Sequence, residues 1–163
     1  MKTDDREQSG KIGSRTESEA LASAFRILAR RDHTRRELAA KLHKKRFDPP
    51  AIDGALARCS ELGYLDDERT AMKIAAHLLE KGYGMLRVRQ VLGQKGLDEA
   101  LIATALTGCA DEEAQVKSAR LLLEKRALRQ GRQAPAWQRR QAAHRFLAGR
   151  GFPSAVIGRV LSR

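Results

Sequence analysis

Two glycines that bracket a lysine, in the stretch Gly93-Gln94-Lys95-Gly96, are residues whose types and spacing could do chemistry. A GxxG loop grips the phosphates of a nucleic-acid backbone in KH domains, which set that loop beside a β-sheet. Glycines at this spacing are also typical of the corner between two helices. At the end of a helix, a glycine adopts the left-handed conformation. The elements around the two glycines decide between these interpretations.

A run of three acids, Asp66-Asp67-Glu68, is a second candidate, for a metal site or for acid–base chemistry. Adjacent residues of a helix point in different directions, so these carboxylates do not converge on one ion. At the first turn of a helix they cap free N–H groups and complement the helix dipole. The four histidines show no paired metal-ligand spacing, and we expect most of them at the surface: His33, His43, His77 and His144. We therefore predict no catalysis, no cofactor and no bound metal.

The composition favours a polyanionic partner. The 163 residues include 32 Lys and Arg against 20 Asp and Glu, which gives a net charge of +12 and a pI of about 10.4. Such a charge favours nucleic acid or a filament on nucleic acid, although helical proteins also use arginine-rich surfaces for solubility. No apolar run is long enough for a membrane span or a signal peptide, so we expect no membrane association. Two isolated cysteines, Cys59 and Cys109, are typical of a reduced, cytoplasmic protein.

The charge is distributed unevenly along the chain. Residues 26–46 contain nine basic residues and two acidic ones, whereas residues 48–80 contain seven acidic and three basic residues. From residue 125 to the C-terminus there are ten basic residues and no acid. Two basic ends therefore flank an acidic middle, and the chain does not present a uniform charge to its partner.

Apolar residues recur at three- and four-residue spacing throughout, among residues that favour helices. We predict helices at residues 17–30, 34–45, 49–62, 66–80, 84–94, 98–108, 111–129, 136–149 and 153–162. Signals for helix N-termini precede several of these segments: Thr16 with Glu19, Thr34 with Glu37, Asp48 with Pro49, Asp66, and Asp111.

The apolar residues around the two glycines, Leu92, Leu97, Ile102 and Leu106, follow each other at spacings of five, five and four. The same spacings recur fifty residues earlier and fifty-five residues later: Leu42, Phe47, Ile52 and Leu56, then Leu147, Phe152, Ile157 and Leu161. A basic residue stands two positions before the second member of each series, and an apolar helix precedes each series. These patterns predict one three-helix unit used three times.

The repeats decide between the interpretations of the glycines. The two glycine positions hold His43 and Arg46 in the first unit and Ala148 and Gly151 in the third, so only the second glycine recurs. It recurs at a predicted helix C-terminus, where a left-handed residue is favoured. We therefore predict that Gly96 is a helix cap.

The predicted fold is all-α: an elongated array of three tandem three-helix repeats with about nine helices. We assign residues 1–16 to a disordered tail, 17–64 to the first repeat, 65–109 to the second and 110–163 to the third. The third repeat carries an insertion in a loop at about residues 130–135. We expect the protein to be a monomer.

Twelve basic residues, several of them at like positions of their repeats, are the candidate binding residues, because they could line one side of a curved array and contact the phosphate backbone of a nucleic acid. They are Arg35, Arg36, Lys44 and Lys45 in the first repeat, Lys81, Arg87, Arg89 and Lys95 in the second, and Arg139, Arg140, Arg145 and Arg150 in the third. Aromatic residues are scarce, and Tyr64, Tyr83 and Trp137 are the remaining stacking groups. Electrostatic contact with phosphates is therefore favoured over base stacking as the main source of affinity.

Three segments together resemble the RecX family of regulators of the RecA recombinase. They are Tyr64-Leu65-Asp66-Asp67, then Lys81-Gly82-Tyr83-Gly84 followed by Arg87, then Lys95-Gly96-Leu97. The resemblance covers about residues 17–163, with the same order of motifs and the same repeat layout.

The resemblance implies an elongated all-helical array of three-helix repeats with a basic concave side. It implies a protein without catalytic activity that binds the RecA–DNA filament along its groove and binds DNA itself more weakly. Tyr83 is a further candidate binding residue, and phosphate contacts predict DNA binding without sequence preference. The implied result is inhibition of the recombinase's ATPase, strand exchange and filament growth. Two alternatives remain: a DNA-binding module of helix-turn-helix type, and a regulatory subunit that touches only protein. The first requires one privileged recognition helix, whereas here the basic residues are spread over three units.

Overall fold

The protein is helical throughout the part of the chain that the computed structural model describes, residues 16–107, 111–130 and 135–162. These residues form nine α-helices and no strand, which confirms the all-α prediction. The helices are α1 (Glu17–Leu28), α2 (Arg35–Lys44), α3 (Pro49–Glu61), α4 (Asp67–Glu80), α5 (Met85–Gln94), α6 (Glu99–Leu106), α7 (Glu112–Gln130), α8 (Ala136–Gly149) and α9 (Ser154–Leu161). The predicted bounds were wrong by at most two residues. The largest errors are at the ends of α1 and α6; α6 ends early because Thr107 has extended backbone with ψ 127°.

Side-chain caps fix where several helices begin. Thr16 before α1 and Thr34 before α2 each form a capping box with the glutamate three residues later, as predicted. Asp48 occupies the N-cap position of α3 before Pro49, but its side chain makes no cap hydrogen bond. Asp98 caps α6 by accepting a hydrogen bond of 2.8 Å from the Leu101 N–H. Thr16, Thr34 and Asp98 thereby satisfy N–H groups that have no partner within the helix.

His33 is an exception to the expectation that the histidines lie at the surface. It is 4% exposed, just before α2, and its Nδ1 lies 2.9 Å from the Arg31 carbonyl oxygen. Burial lowers the pKa of the His33 imidazole, because the charged form loses its hydration. His33 is therefore part of the packing at the start of α2.

The second helix of each repeat ends in the same left-handed turn. The turn residue is Arg46 after α2 (φ 62°), Gly96 after α5 (φ 83°) and Gly151 after α8 (φ 82°). In each turn the N–H of the next residue donates to the carbonyl five residues back: Phe47 to Leu42, Leu97 to Leu92, and Phe152 to Leu147. The two residues joined by this bond are also an apolar pair, the usual companion of such a cap. The prediction that Gly96 is a helix cap is confirmed. The hydrogen bond and the apolar contact of this turn join residues five apart, which explains the five-residue spacing in the sequence.

The chain divides into two compact units, Met1–Asp66 and Asp67–Arg163. In the first unit, α1 packs on α2 and α3 around a core that includes Leu38, Leu42, Phe47, Ile52 and Leu56. Cys59 is buried in the same core, and the loss of hydration there raises the pKa of its thiol.

The second unit contains two further cores. In the first of them, α4 packs on α5 and α6 around Val88, Leu92, Leu97, Ile102 and Leu106. In the other, α7 and α8 each pack on α9 around Val116, Leu147, Phe152, Val156 and Ile157. Every apolar residue of the three repeated series is buried except Leu161, which is partly buried against the last core.

Some predictions fall on residues outside the described ranges. They are the tail at residues 1–16, apart from Thr16; Cys109; the boundary between the second and third repeats at residues 109 and 110; and most of the loop at residues 130–135.

Leu92→Ala should lower the free energy of unfolding by about 2–5 kcal/mol, because Leu92 is fully buried and its truncation leaves a cavity. Leu86→Ala is the control in the same helix: Leu86 is 55% exposed, and its truncation should change stability by less than about 0.5 kcal/mol. Denaturant titration followed by circular dichroism measures both. Equal midpoints for the two variants would show that the leucine register does not define the core.

Candidate functional site

The predicted binding residues of the first repeat lie at the two ends of α2. Arg35 and Arg36 are its first two residues, Lys44 is its last, and Lys45 follows as the C-cap. All four are exposed. At a rise of 1.5 Å per residue, the two pairs are separated by about 14 Å along the helix axis. The first repeat therefore offers two small basic groups.

The predicted residues of the second repeat differ in their exposure and in the contacts that their side chains make within the protein. Lys81 is exposed just before α5, whereas Lys95 is half-buried at the C-cap of that helix. Arg87 donates a 2.8 Å hydrogen bond to the Gln90 side chain, and Arg89 forms an ion pair with Glu99 of α6. The charge of Arg89 is thus already balanced within the repeat.

The third repeat has the least balanced basic surface. Arg139, Arg140 and Arg145 are exposed on α8 and make no ion pair with any residue in the described ranges. Neither α8 nor α9 contains an acidic residue. Arg159 on α9 differs, because Glu113 and Glu112 of α7 bind its guanidinium, and their hydrogen bonds raise its pKa. Arginines that make no ion pair within the protein are suited to contact the phosphates of a nucleic-acid backbone.

The motif Lys81-Gly82-Tyr83-Gly84 is where the second repeat meets the third. The Gly84 N–H donates a 2.8 Å hydrogen bond to the Arg150 carbonyl, and the Leu86 N–H donates one of 3.0 Å to the Gly151 carbonyl. In the other direction, the Arg150 guanidinium donates to the Lys81 carbonyl at 2.9 Å. We call this set of contacts the seam. It brings Lys81, Tyr83 and Arg150 together, although Arg150 is 69 residues from Lys81 in sequence.

Aromatic rings hold the guanidinium of Arg150 at the seam. Its Cζ lies 5.1 Å from the centre of the Tyr83 ring and 5.3 Å from that of Phe146. Arg126 of α7 stacks on Phe146 at 4.5 Å. Each such contact stabilises by roughly 0.5–1 kcal/mol when exposed and more when desolvated. Arg126 was absent from the predicted set, and the only sequence signal for it is its place in the acid-free C-terminal stretch.

Glycine is required on both sides of the seam because the two backbones approach closely. A Cβ at position 84 would overlap the Gly151 carbonyl group, and a Cβ at position 151 would overlap the backbone of Arg87. The sequence explains Gly151 by its left-handed backbone alone. The structure adds the second reason, which is space.

The described residues offer no arrangement for metal chemistry and no membrane span. No three acidic, histidine or cysteine side chains in the described ranges converge as metal ligands. Within the same ranges, every helix is too short or too polar to cross a bilayer.

Three family models match consecutive segments of the chain. They describe the first three-helix domain of RecX over residues 20–59, the second over residues 66–106 and the third over residues 112–161. The segments follow the order of the repeats and cover most of the chain.

Individual proteins similar to this chain are also RecX proteins. The chain is 38% identical over 140 residues to the regulatory protein RecX of Pseudomonas savastanoi pv. phaseolicola, covering 86% of this chain and 88% of that protein. It is 37% identical over 157 residues to the regulatory protein RecX of Xanthomonas axonopodis pv. citri, covering 94% and 93%. A crystal structure of RecX from Lactobacillus salivarius shares the fold with a TM-score of 0.80 and 20% identity, covering 90% of this chain and 94% of that one.

Gly84→Ala should destabilise the second unit by about 1–3 kcal/mol, because the added Cβ overlaps the Gly151 carbonyl and opens the seam. Gly149→Ala is the matched control, since a Cβ there meets nothing within 4 Å and alanine favours the helix. Urea titration of both variants measures the difference. If both variants unfold at the same urea concentration, the close approach at the seam does not contribute to stability.

Proposed function

The chain belongs to the RecX family, and from that premise we propose that it regulates the RecA recombinase by binding the RecA–DNA filament. The observation that carries the proposal is the match of all three repeats, in order, to the domains of one family of regulators. In this proposal the protein acts as a cytoplasmic monomer without catalysis of its own. It inhibits filament growth, ATP hydrolysis and strand exchange.

The exposed basic residues of the second helices support contact with phosphates or with acidic surface of the filament. Seven of the predicted residues are exposed and form no ion pair with a described residue: Arg36, Lys44, Lys81, Arg87, Arg139, Arg140 and Arg145. They lie in all three repeats, so binding is shared along the chain and no single recognition helix is favoured. Tyr83 and Arg150 support binding indirectly, because they hold the second and third repeats together at the seam.

The seam also supports a mechanism of inhibition. Backbone hydrogen bonds fix the second repeat to the third, so their basic residues meet a partner already arranged, which lowers the entropic cost of binding. A rigid pair of repeats that spans neighbouring recombinase subunits would favour one filament conformation. Nucleotide turnover requires subunits to move, so a bound regulator that favours one conformation slows it.

The protein should therefore slow ATP hydrolysis by preformed recombinase filaments at well below one copy per recombinase subunit. The combined substitution Lys81→Gln, Arg87→Gln and Lys95→Gln should weaken this inhibition more than it weakens binding to bare DNA. Steady-state ATPase on preassembled filaments, titrated at fixed salt, measures the effect. Inhibition could instead appear only when the protein is added before filament assembly, at ratios that cover the DNA. That result would mean that the protein competes with the recombinase for DNA.

Binding to free DNA should be weak, independent of sequence and steeply dependent on salt. Replacing Arg139, Arg140 and Arg145 by glutamine should flatten the plot of log affinity against log salt by about 0.9 for each lost contact to duplex phosphate. Arg159→Gln is the control with the same charge change per residue, because Glu112 and Glu113 already occupy that guanidinium. A loss of affinity for one DNA sequence alone would favour a helix-turn-helix reader instead.

A further inference from the structure

The second and third helices of the last repeat leave a groove that the contacts described so far do not use. Its volume is about 400 Å³, at the small end of the range for ligand sites. Trp137, Arg140 and His144 of α8 line one side, and Ile157 and Gly158 of α9 line the other. It has an apolar floor, an aromatic wall and a cationic edge.

The equivalent grooves of the other repeats lack this combination. In the first repeat, a groove of about 310 Å³ lies between α2 and α3, but Ala39 stands in place of His144 and Asp53 in place of Gly158. In the second repeat, the ion pair between Arg89 and Glu99 joins the two equivalent helices. Of these two grooves, the one in the third repeat has an aromatic side chain and no carboxylate in its lining.

Trp137 is 65% exposed, which is unusual for a side chain that gains so much from burial. The other two predicted stacking groups are engaged differently: the Tyr83 ring lies under Arg150, and Tyr64 packs edge-on against Phe25 at 5.3 Å. Among the described residues, Trp137 thus combines an exposed aromatic side chain with a groove that Arg140 also lines.

A ligand that fits needs a flat π surface for the indole of Trp137 and negative charge for the guanidinium of Arg140. An unpaired nucleotide supplies both, through its base and its phosphate, and stacking on an aromatic side chain is tolerant of base identity. A base inside a duplex is covered on both faces by its neighbours and cannot stack in this way.

We propose that the groove between α8 and α9 is a subsite for one unpaired nucleotide of single-stranded DNA, whose base stacks on Trp137 while Arg140 faces its phosphate. The inference rests on the proposed function only in taking DNA as a partner. It adds a preference for single strands to the electrostatic binding described above.

Trp137 is the only tryptophan, so intrinsic fluorescence reports on this site alone. The probes are a twelve-nucleotide thymidine strand and a strand of equal length whose sugars carry no bases, which keeps the phosphates and removes stacking. The thymidine strand should quench the fluorescence and bind roughly five- to a hundredfold more tightly than the abasic strand. Trp137→Ala should bind both labelled strands equally in an anisotropy titration, and since Trp137 is exposed, folding should be retained.

A second variant tests the groove without touching the tryptophan. Gly158→Asp introduces the carboxylate that the first repeat has at Asp53, and a Cβ at position 158 meets nothing within 4 Å. It should reduce both affinity for the thymidine strand and quenching. Ala76→Asp, at an exposed position on α4, adds the same charge outside the groove and should leave the quenching intact.

Equal affinity of the wild type for the two strands would overturn the proposed subsite. So would quenching by DNA-free recombinase with none by the thymidine strand, because the occupant would then be a protein segment. Neither result affects inhibition of preformed filaments, which the ATPase titration measures separately. If instead the subsite is found and preformed filaments are not inhibited, the inference stands and the proposed function fails.

Discussion

The left-handed turn at the end of each second helix is the constraint on which the rest of the structure depends. It directs the chain back from the second helix to the third, and its hydrogen bond holds an apolar pair, such as Leu92 and Leu97, in the core of the repeat. A non-glycine residue in this conformation costs about 1–2 kcal/mol. The first repeat accepts this cost at Arg46, whose side chain is exposed. Gly151 has no such freedom, since its turn also contacts the next backbone.

The same turn therefore serves two levels of structure in the third repeat. Within the repeat it ends α8, and between repeats its carbonyl accepts the Leu86 N–H. One side chain makes most of the side-chain contacts at the seam. The Arg150 guanidinium donates a hydrogen bond to the Lys81 carbonyl and lies against the rings of Tyr83 and Phe146. Because those contacts occupy the guanidinium, basic residues in this protein divide into two kinds. Arg89, Arg150 and Arg159 make contacts within the fold, whereas Arg139, Arg140 and Arg145 make no ion pair with a described residue.

The helices, the caps and the core could be predicted because they follow from local rules. The five-residue spacing of Leu92 and Leu97 is a property of one turn, and Thr34 with Glu37 is a property of four residues. The seam could not be predicted in this way, because Arg150 and Lys81 are 69 residues apart and nothing nearby in sequence marks them as neighbours. The charge of the side chains alone could not show that Arg150 and Arg145 differ in their contacts within the protein. Only the three-dimensional structure shows which of the two guanidiniums already has partners.

Repetition of one unit leaves each copy free to change its surface, because the core positions are fixed by the turn and the remaining positions are not. The groove between the second and third helices shows this freedom. Between those helices lie Asp53 in the first repeat, the ion pair of Arg89 with Glu99 in the second, and Trp137 with Arg140 in the third. A filament of protein on DNA also presents different chemistry along its length, with phosphates, bases and protein surface side by side. Under the proposed function, three copies of one fold with different surfaces between their second and third helices meet such a filament without a change in the cores that hold each repeat together.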